Sequence, residues 1–301
     1  MWDIEVDVAC IGAGIGAMAS AIATADGGGK VLVATPPVDR GGSATGLAVQ
    51  PRVGGFLRSW GRPDLDVETR EYFTAVGEDL APSERPEDAR LTIRTVSPMA
   101  NSGAIEPFVG SRLRAWNAQC LASPYGMLYS TVSGWRTTQM RASDGQSLEV
   151  QAIGAINPAE LTGGNALSDW MVGRVHERGI ALHEDSLLDR IVFDDGRIVG
   201  VMLSTSDGPL AVGVRCGVAI SSSDPFIADS DAVRAPSGSA ELQVCLVGQL
   251  ASRFLRIELL NTERAESPVR PTCTASGRQL REAMRDARSL PSGSWSCGKL
   301  R

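Results

Sequence analysis

Histidine is almost missing from this sequence: His176 and His183 are the two copies in 301 residues. A Ser/His/Asp triad or a histidine-rich metal site therefore has little material to work with, and both residues read as surface or packing positions. The six cysteines (Cys10, Cys120, Cys216, Cys245, Cys273 and Cys297) include no CxxC pair. That spacing points away from zinc ribbons and thioredoxin-like motifs, and leaves reduced thiols and no bound metal as the expectation. No basic run of five or more occurs and the net charge is -6, which argues against nucleic acid as a partner. No apolar run reaches the roughly 20 residues of a membrane span. The opening Trp2-Asp3-Ile4-Glu5 is acidic and lacks the basic start of a signal peptide, so the expected location is the cytoplasm.

What is present is the composition of a folded globular chain, 43% hydrophobic and 21% charged. Single cores stop growing near roughly 250–300 residues, so two lobes are expected. Val6 to Ile11 is a short apolar run ended by glycines, Ala17 to Ala25 is alanine-rich, and Gly27-Gly28-Gly29 stops it. Val31 to Ala34 lies in a second β-branched run closed by Pro36-Pro37, so strand, helix and strand should form a parallel pair. Asp66 to Phe73 reads as a helix with an acidic first turn, and Phe108 to Cys120 as another. Strands are expected around Tyr125 to Tyr129 and Ser147 to Ile153. A further helix runs to about Arg178, with Gly179 as its cap. Asp194-Asp195-Gly196-Arg197 is a hairpin signal between two strands, and Gly217 to Ile220 is a buried strand returning to the main sheet. Glu241 to Leu260 is apolar with mixed period, and Ser276 to Leu290 reads as an amphipathic helix.

Gly12-Ala13-Gly14-Ile15-Gly16-Ala17 fits GxGxxA between a strand and a helix. Gly12 permits the tight turn, Gly14 lets the backbone approach a diphosphate, and Gly16 and Ala17 keep the helix close to the strand. The helix N-terminus supplies N–H groups and partial positive charge. A glycine-rich turn without a ligand is the competing reading. The second strand ends in Ala34-Thr35-Pro36, where such units usually carry an acidic residue for the ribose. Thr35 can make one hydrogen bond there but not the bidentate contact of a carboxylate.

Arg40-Gly41-Gly42-Ser43-Ala44-Thr45-Gly46-Leu47-Ala48 resembles the GGxxA/S segment of the fumarate reductase and 3-ketosteroid dehydrogenase flavoprotein superfamily. Glu68 to Gly77 is similar to the helix that follows in the ketosteroid dehydrogenase branch, and Gly164 to Leu203 to that family's return element. The resemblance covers 3–80 and 160–222. It implies FAD as cofactor, with Gly12, Gly14, Gly16, Ala17, Thr35, Gly41, Gly42, Ser43, Ala44 and Thr45 around it. Where the family has an ATGG-like segment this chain has Ser221-Ser222-Ser223-Asp224, and no GLYAAGE-like segment closes the C-terminal part. NAD(P) on the same loop is an alternative cofactor, disfavoured by the GGSAT continuation.

The implied fold is α/β, a Rossmann-like FAD-binding domain with a parallel sheet plus an inserted smaller α+β lobe. The FAD-binding domain takes 1–100 and 160–235, the lobe 101–159, and a C-terminal extension 236–301. Tyr125 and Tyr129 are candidate proton donors or acceptors beside a flavin, with core aromatics as the competing reading. Arg136 is a candidate cationic donor or carboxylate clamp, with a surface arginine as its alternative. Ser221 to Ser223 are either phosphate contacts or a solvated loop. Two functions follow. One is a flavin-dependent oxidoreductase, or its FAD-binding subunit, acting on a small ketosteroid- or enoate-like molecule. The other is a non-catalytic subunit of the same fold that assembles with or regulates another chain. Trp116, Trp135 and Trp170 could belong to a homo- or hetero-oligomer interface or simply to the core.

Overall fold

A computed structural model describes residues 1–12, 14–37, 65–78, 80, 90–99, 109–131, 137–161, 166–221 and 241–262. All lie in one compact unit, Met1–Glu263. The segment holding Gly41, Gly42, Ser43, Ala44 and Thr45, the residues Trp135 and Arg136, and the helix expected at 276–290 fall outside the described residues.

Strand β1 (Ile4–Ile11), helix α1 (Ile15–Asp26) and strand β2 (Val31–Ala34) form the expected unit, with β1 and β2 parallel. On the other side of β1 lies β10 (Gly208–Ser221), also parallel. The β1–β10 register shifts between Val6 and Val8, and that shift puts the two valines in different core layers despite their even spacing. Beyond β2 comes the two-residue β7 (Leu182–His183), again parallel. The hairpin of β8 (Leu187–Asp194) and β9 (Arg197–Thr205) turns through Asp195 (φ 48°) and Gly196 (φ 72°), the two left-handed residues that its Asp-Gly sequence predicts.

The remaining strands make the sheet as a whole mixed, beyond the parallel set β10–β1–β2–β7. β4 (Gly126–Tyr129) joins β10 antiparallel and hands the ladder to β12 (Phe254–Thr262). β12 also pairs with β3 (Thr92–Pro98) and β11 (Leu242–Gly248). β3 pairs with β5 (Thr138–Ala142), β5 with β6 (Ser147–Ile156), and β6 with β11. Those pairings close a ring of five strands, in which each strand has a partner on both sides. Strands from 101–159 and 241–262 thus belong to the same hydrogen-bonded ladder as β1 and β2.

Two apolar layers cover the sheet. One packs α1 and helix α4 (Ala166–Glu177) against Val8, Cys10, Val33, Ala219, Ile257 and Leu259. The other packs helix α2 (Val67–Gly77) and helix α3 (Gly110–Ala122) against Ala9, Ile11, Leu32, Ile220 and Leu260. α2 is N-capped by Asp66, whose carboxylate accepts from the Thr69 amide at 2.9 Å. The Thr69 hydroxyl in turn accepts from the Ile191 amide at 2.8 Å and ties the helix to β8. Among the described residues no helix is long and apolar enough to cross a membrane.

Candidate functional site

The chain leaves β1 at Ile11 and turns at Gly12, whose φ of 127° suits glycine and few other residues. The Gly12 amide donates to the Ala34 carbonyl at 2.9 Å, which pins the turn to the end of β2. Gly14 then starts α1 in extended geometry with no side chain capping the helix. An uncapped first turn at the carboxyl ends of three parallel strands, β10, β1 and β2, directs amide dipoles at whatever binds there. Gly16 faces a wall: a Cβ on it would lie 3.1 Å from Met127 Cβ and 3.3 Å from both the Gly126 oxygen and Ser221 Cβ. Ala17 is fully buried, as close helix-to-strand packing requires. Ser221, at the end of β10, donates from Oγ to the Gly14 carbonyl at 3.4 Å, so the residue singled out in the sequence lies against the glycine loop. Ser222 and Ser223 are outside the described residues. Together, the left-handed turn, the uncapped helix start and the absence of side-chain bulk fit a diphosphate.

Thr35 stands half-buried at the end of β2. Its amide donates to the His183 carbonyl and its carbonyl accepts from the Ser186 amide, both at 2.9 Å. The exposed Glu184 and Asp185 lie between those two partners. No signal in the local sequence around β2 indicates them, because they arrive with β7 from far along the chain.

Tyr125 precedes β4 and Tyr129 is its last residue; they are 2% and 3% exposed, inside the apolar layer that holds α1. Burial raises the Tyr129 phenol above its usual range, against a lowering hydrogen bond with Thr131, and the nearby Cys10 and Cys216 thiols raise it further. A phenol in that state stays protonated at neutral pH, able to give a hydrogen bond. Cys10, beneath α1, is pushed up to about 12 by burial, with a Ser20 hydrogen bond opposing, and is inert as a nucleophile at neutral pH. None of the four described cysteines is in a disulfide. Trp116 is core, with its indole N–H donating to the Phe254 carbonyl at 2.9 Å. Trp170 packs on Gly154 of β6 beneath Arg174. Among the described residues no group of acidic, cysteine and histidine side chains could hold a metal ion.

No protein-family model matches this chain, and no curated protein matches it significantly. Among solved structures, 3-ketosteroid-Δ4-(5α)-dehydrogenase from Rhodococcus jostii RHA1, solved with 4-androstene-3,17-dione, aligns with 72% of this chain and 46% of its own at 19% identity, TM-score 0.30. A flavocytochrome c3 fumarate reductase aligns with 71% of this chain and 33% of its own at 15% identity, TM-score 0.28. Aklavinone-11 hydroxylase, solved with FAD and aklavinone, aligns with 71% and 32% at 22% identity, TM-score 0.25. The chain spans less than half the length of each. Superpositions this partial carry no argument about fold or activity.

Proposed function

We propose that this chain is a flavin-dependent oxidoreductase, or the FAD-binding subunit of one, that moves a hydride between FAD and an activated C–C bond of a ketosteroid- or enoate-like molecule. The observation that supports it is the uncapped N-terminus of α1, set behind a left-handed Gly12 at the carboxyl ends of parallel strands. FAD, when bound, supplies the hydride chemistry. Gly12 and Gly14 then bring the backbone up to the diphosphate, Gly16 and Ala17 keep the helix start close to the sheet behind it, and Ser221 steadies the loop from β10. Thr35 and, from the resemblance of their segment, Gly41, Gly42, Ser43, Ala44 and Thr45 are the further cofactor contacts this reading calls for. Tyr125, Tyr129 and Arg136 are the candidates this reading holds for proton supply and substrate orientation. Steroid-like small molecules, not nucleic acid, are the partners this reading calls for, in a cytoplasmic protein.

A second reading, a non-catalytic subunit of the same fold, draws on the burial of Tyr125 and Tyr129, which shuts both phenols into the core layer of this chain. The visible absorption spectrum of the purified protein, before and after adding FAD, separates the two. Flavin bands near about 370 and 450 nm at near-stoichiometric occupancy, bleached anaerobically by substrate, are expected for the oxidoreductase. A protein that takes up no FAD, alone or with a partner chain, overturns it.

A further inference from the structure

The end of β2 lacks the carboxylate that dinucleotide-binding βαβ units place there for the ribose hydroxyls, and Thr35 occupies its position. The fold delivers two carboxylates to that place by another route. β7 lies parallel to β2 in the register Val33 to Leu182 and Ala34 to His183. In a regular parallel ladder, the next residue of β2 would bond to the two neighbours of a single partner residue. Thr35 instead bonds to His183 through its amide and to Ser186 through its carbonyl, so Glu184 and Asp185 both stand opposite it. The extra residue makes a bulge, in which Asp185 takes a left-handed φ of 54° that aspartate tolerates better than most side chains. Bulges re-aim side chains at sheet ends. Both carboxylates are exposed, and neither has an ion-pair or side-chain hydrogen-bond partner among the described residues.

We infer that the Glu184–Asp185 bulge supplies from β7 the ribose-binding carboxylate that β2 lacks, and so makes the site selective for a flavin carrying an adenosine. The inference rests on the FAD reading above. A carboxylate is acceptor-only and matches the two adjacent donors of an unmodified ribose, whereas a ribose 2′-phosphate would meet two like charges. The same residues therefore disfavour a 2′-phosphorylated dinucleotide on this loop.

Calorimetric titration of the full chain with FAD, with FAD carrying a 2′-deoxyadenosine, and with FMN tests it. The double variant Glu184→Gln/Asp185→Asn should bind FAD roughly tenfold to a hundredfold more weakly, while FMN binding stays as in the parent. Loss of the 2′-hydroxyl should weaken binding to the parent and not to the variant, and adding Thr35→Glu to the variant should restore affinity for FAD. Both side chains are exposed, so matching thermal melts of the unliganded proteins should show that the fold is intact. A variant that binds FAD within about twofold of the parent overturns the inference and leaves the FAD reading standing. A parent chain that binds no FAD overturns both.

Discussion

Around α1 the packing is made of small apolar residues: Ala17, Ala19, Ala21 and Ile22 are fully buried between the sheet and α4. The strands of the five-strand ring instead carry buried charge. Glu258 is 0% exposed and takes Arg94 Nε at 2.9 Å on one oxygen and Arg256 Nε at 2.6 Å on the other. Arg256 also lies over the Trp116 ring at 4.9 Å, and Arg94 reaches Gln146 at 3.1 Å and Asp144 at 3.3 Å at the β5–β6 turn. The contrast separates two ways of specifying a structure. The α1 layer keeps its backbone approach through lack of bulk, so a lost methylene costs only contact. The ring holds charges that solvent cannot screen, so its geometry matters through what happens when one partner is gone.

Glu258→Ala is the sharpest way to break the contrast. It strands Arg256, with its side chain 5% exposed, without a counter-charge and should destabilise the fold by about 3–5 kcal/mol. Ile22→Val in the α1 layer should cost about 0.5–1.5 kcal/mol. Urea midpoints of the two variants measure the gap, and equal losses would show that the buried charges are no more demanding than packed alkyl groups.

A smaller effect appears in alkali, where the two regions should behave alike. Cys10 under α1 and Cys245 in the ring are both pushed from about 9 up to about 12, by burial in each case and at Cys245 also by the charge of Glu258. The folded state keeps both thiols protonated while the unfolded chain ionises them. Their contribution is therefore whole below about pH 9 and is lost as pH rises through about 12. At about pH 10 each thiol should remove on the order of 1 kcal/mol relative to neutral pH. Cys10→Ala and Cys245→Ala should each lose less stability than the parent between about pH 8 and 10, and an unchanged loss in either would mean that its thiol is not sheltered.

The smallest effect belongs to the surface. Arg178 meets Asp26 at 2.7 and 2.9 Å and links α4 to α1, but its side chain is 24% exposed and that of Asp26 42%. Arg178→Ala should cost under about 1 kcal/mol and fade further in high salt, which a melting comparison at two ionic strengths would show.

Much of the glycine-loop region was legible because it is local. The β1–α1–β2 run, the Asp66 cap, the Asp195-Gly196 turn and the left-handed Gly179 after α4 each depend on neighbours a few residues apart. The return strand was legible as well, since Gly217 to Ile220 falls within β10 beside β1. β3 was missed because Thr92-Ile93-Arg94-Thr95-Val96 alternates inside a polar, charged region, and its arginine faces Glu258 instead of water. The mixed period of 241–260 reflects two strands, β11 and β12, with β12 buried from Phe254 to Leu260. Burial on both sides erases the alternation that marks a strand.

The sequence by itself determined where the chain turns tightly and where a helix begins without a cap, since glycine and alanine act through their own backbone and lack of bulk. Only the tertiary structure decided which distant segments complete those beginnings: that Ser221 closes on Gly14, that Glu184 and Asp185 arrive opposite Thr35, and that Glu258 draws Arg94 and Arg256 into one ring. Strand pairing and charge burial are set by contacts between residues far apart in the chain, and composition and spacing carry no record of such partners.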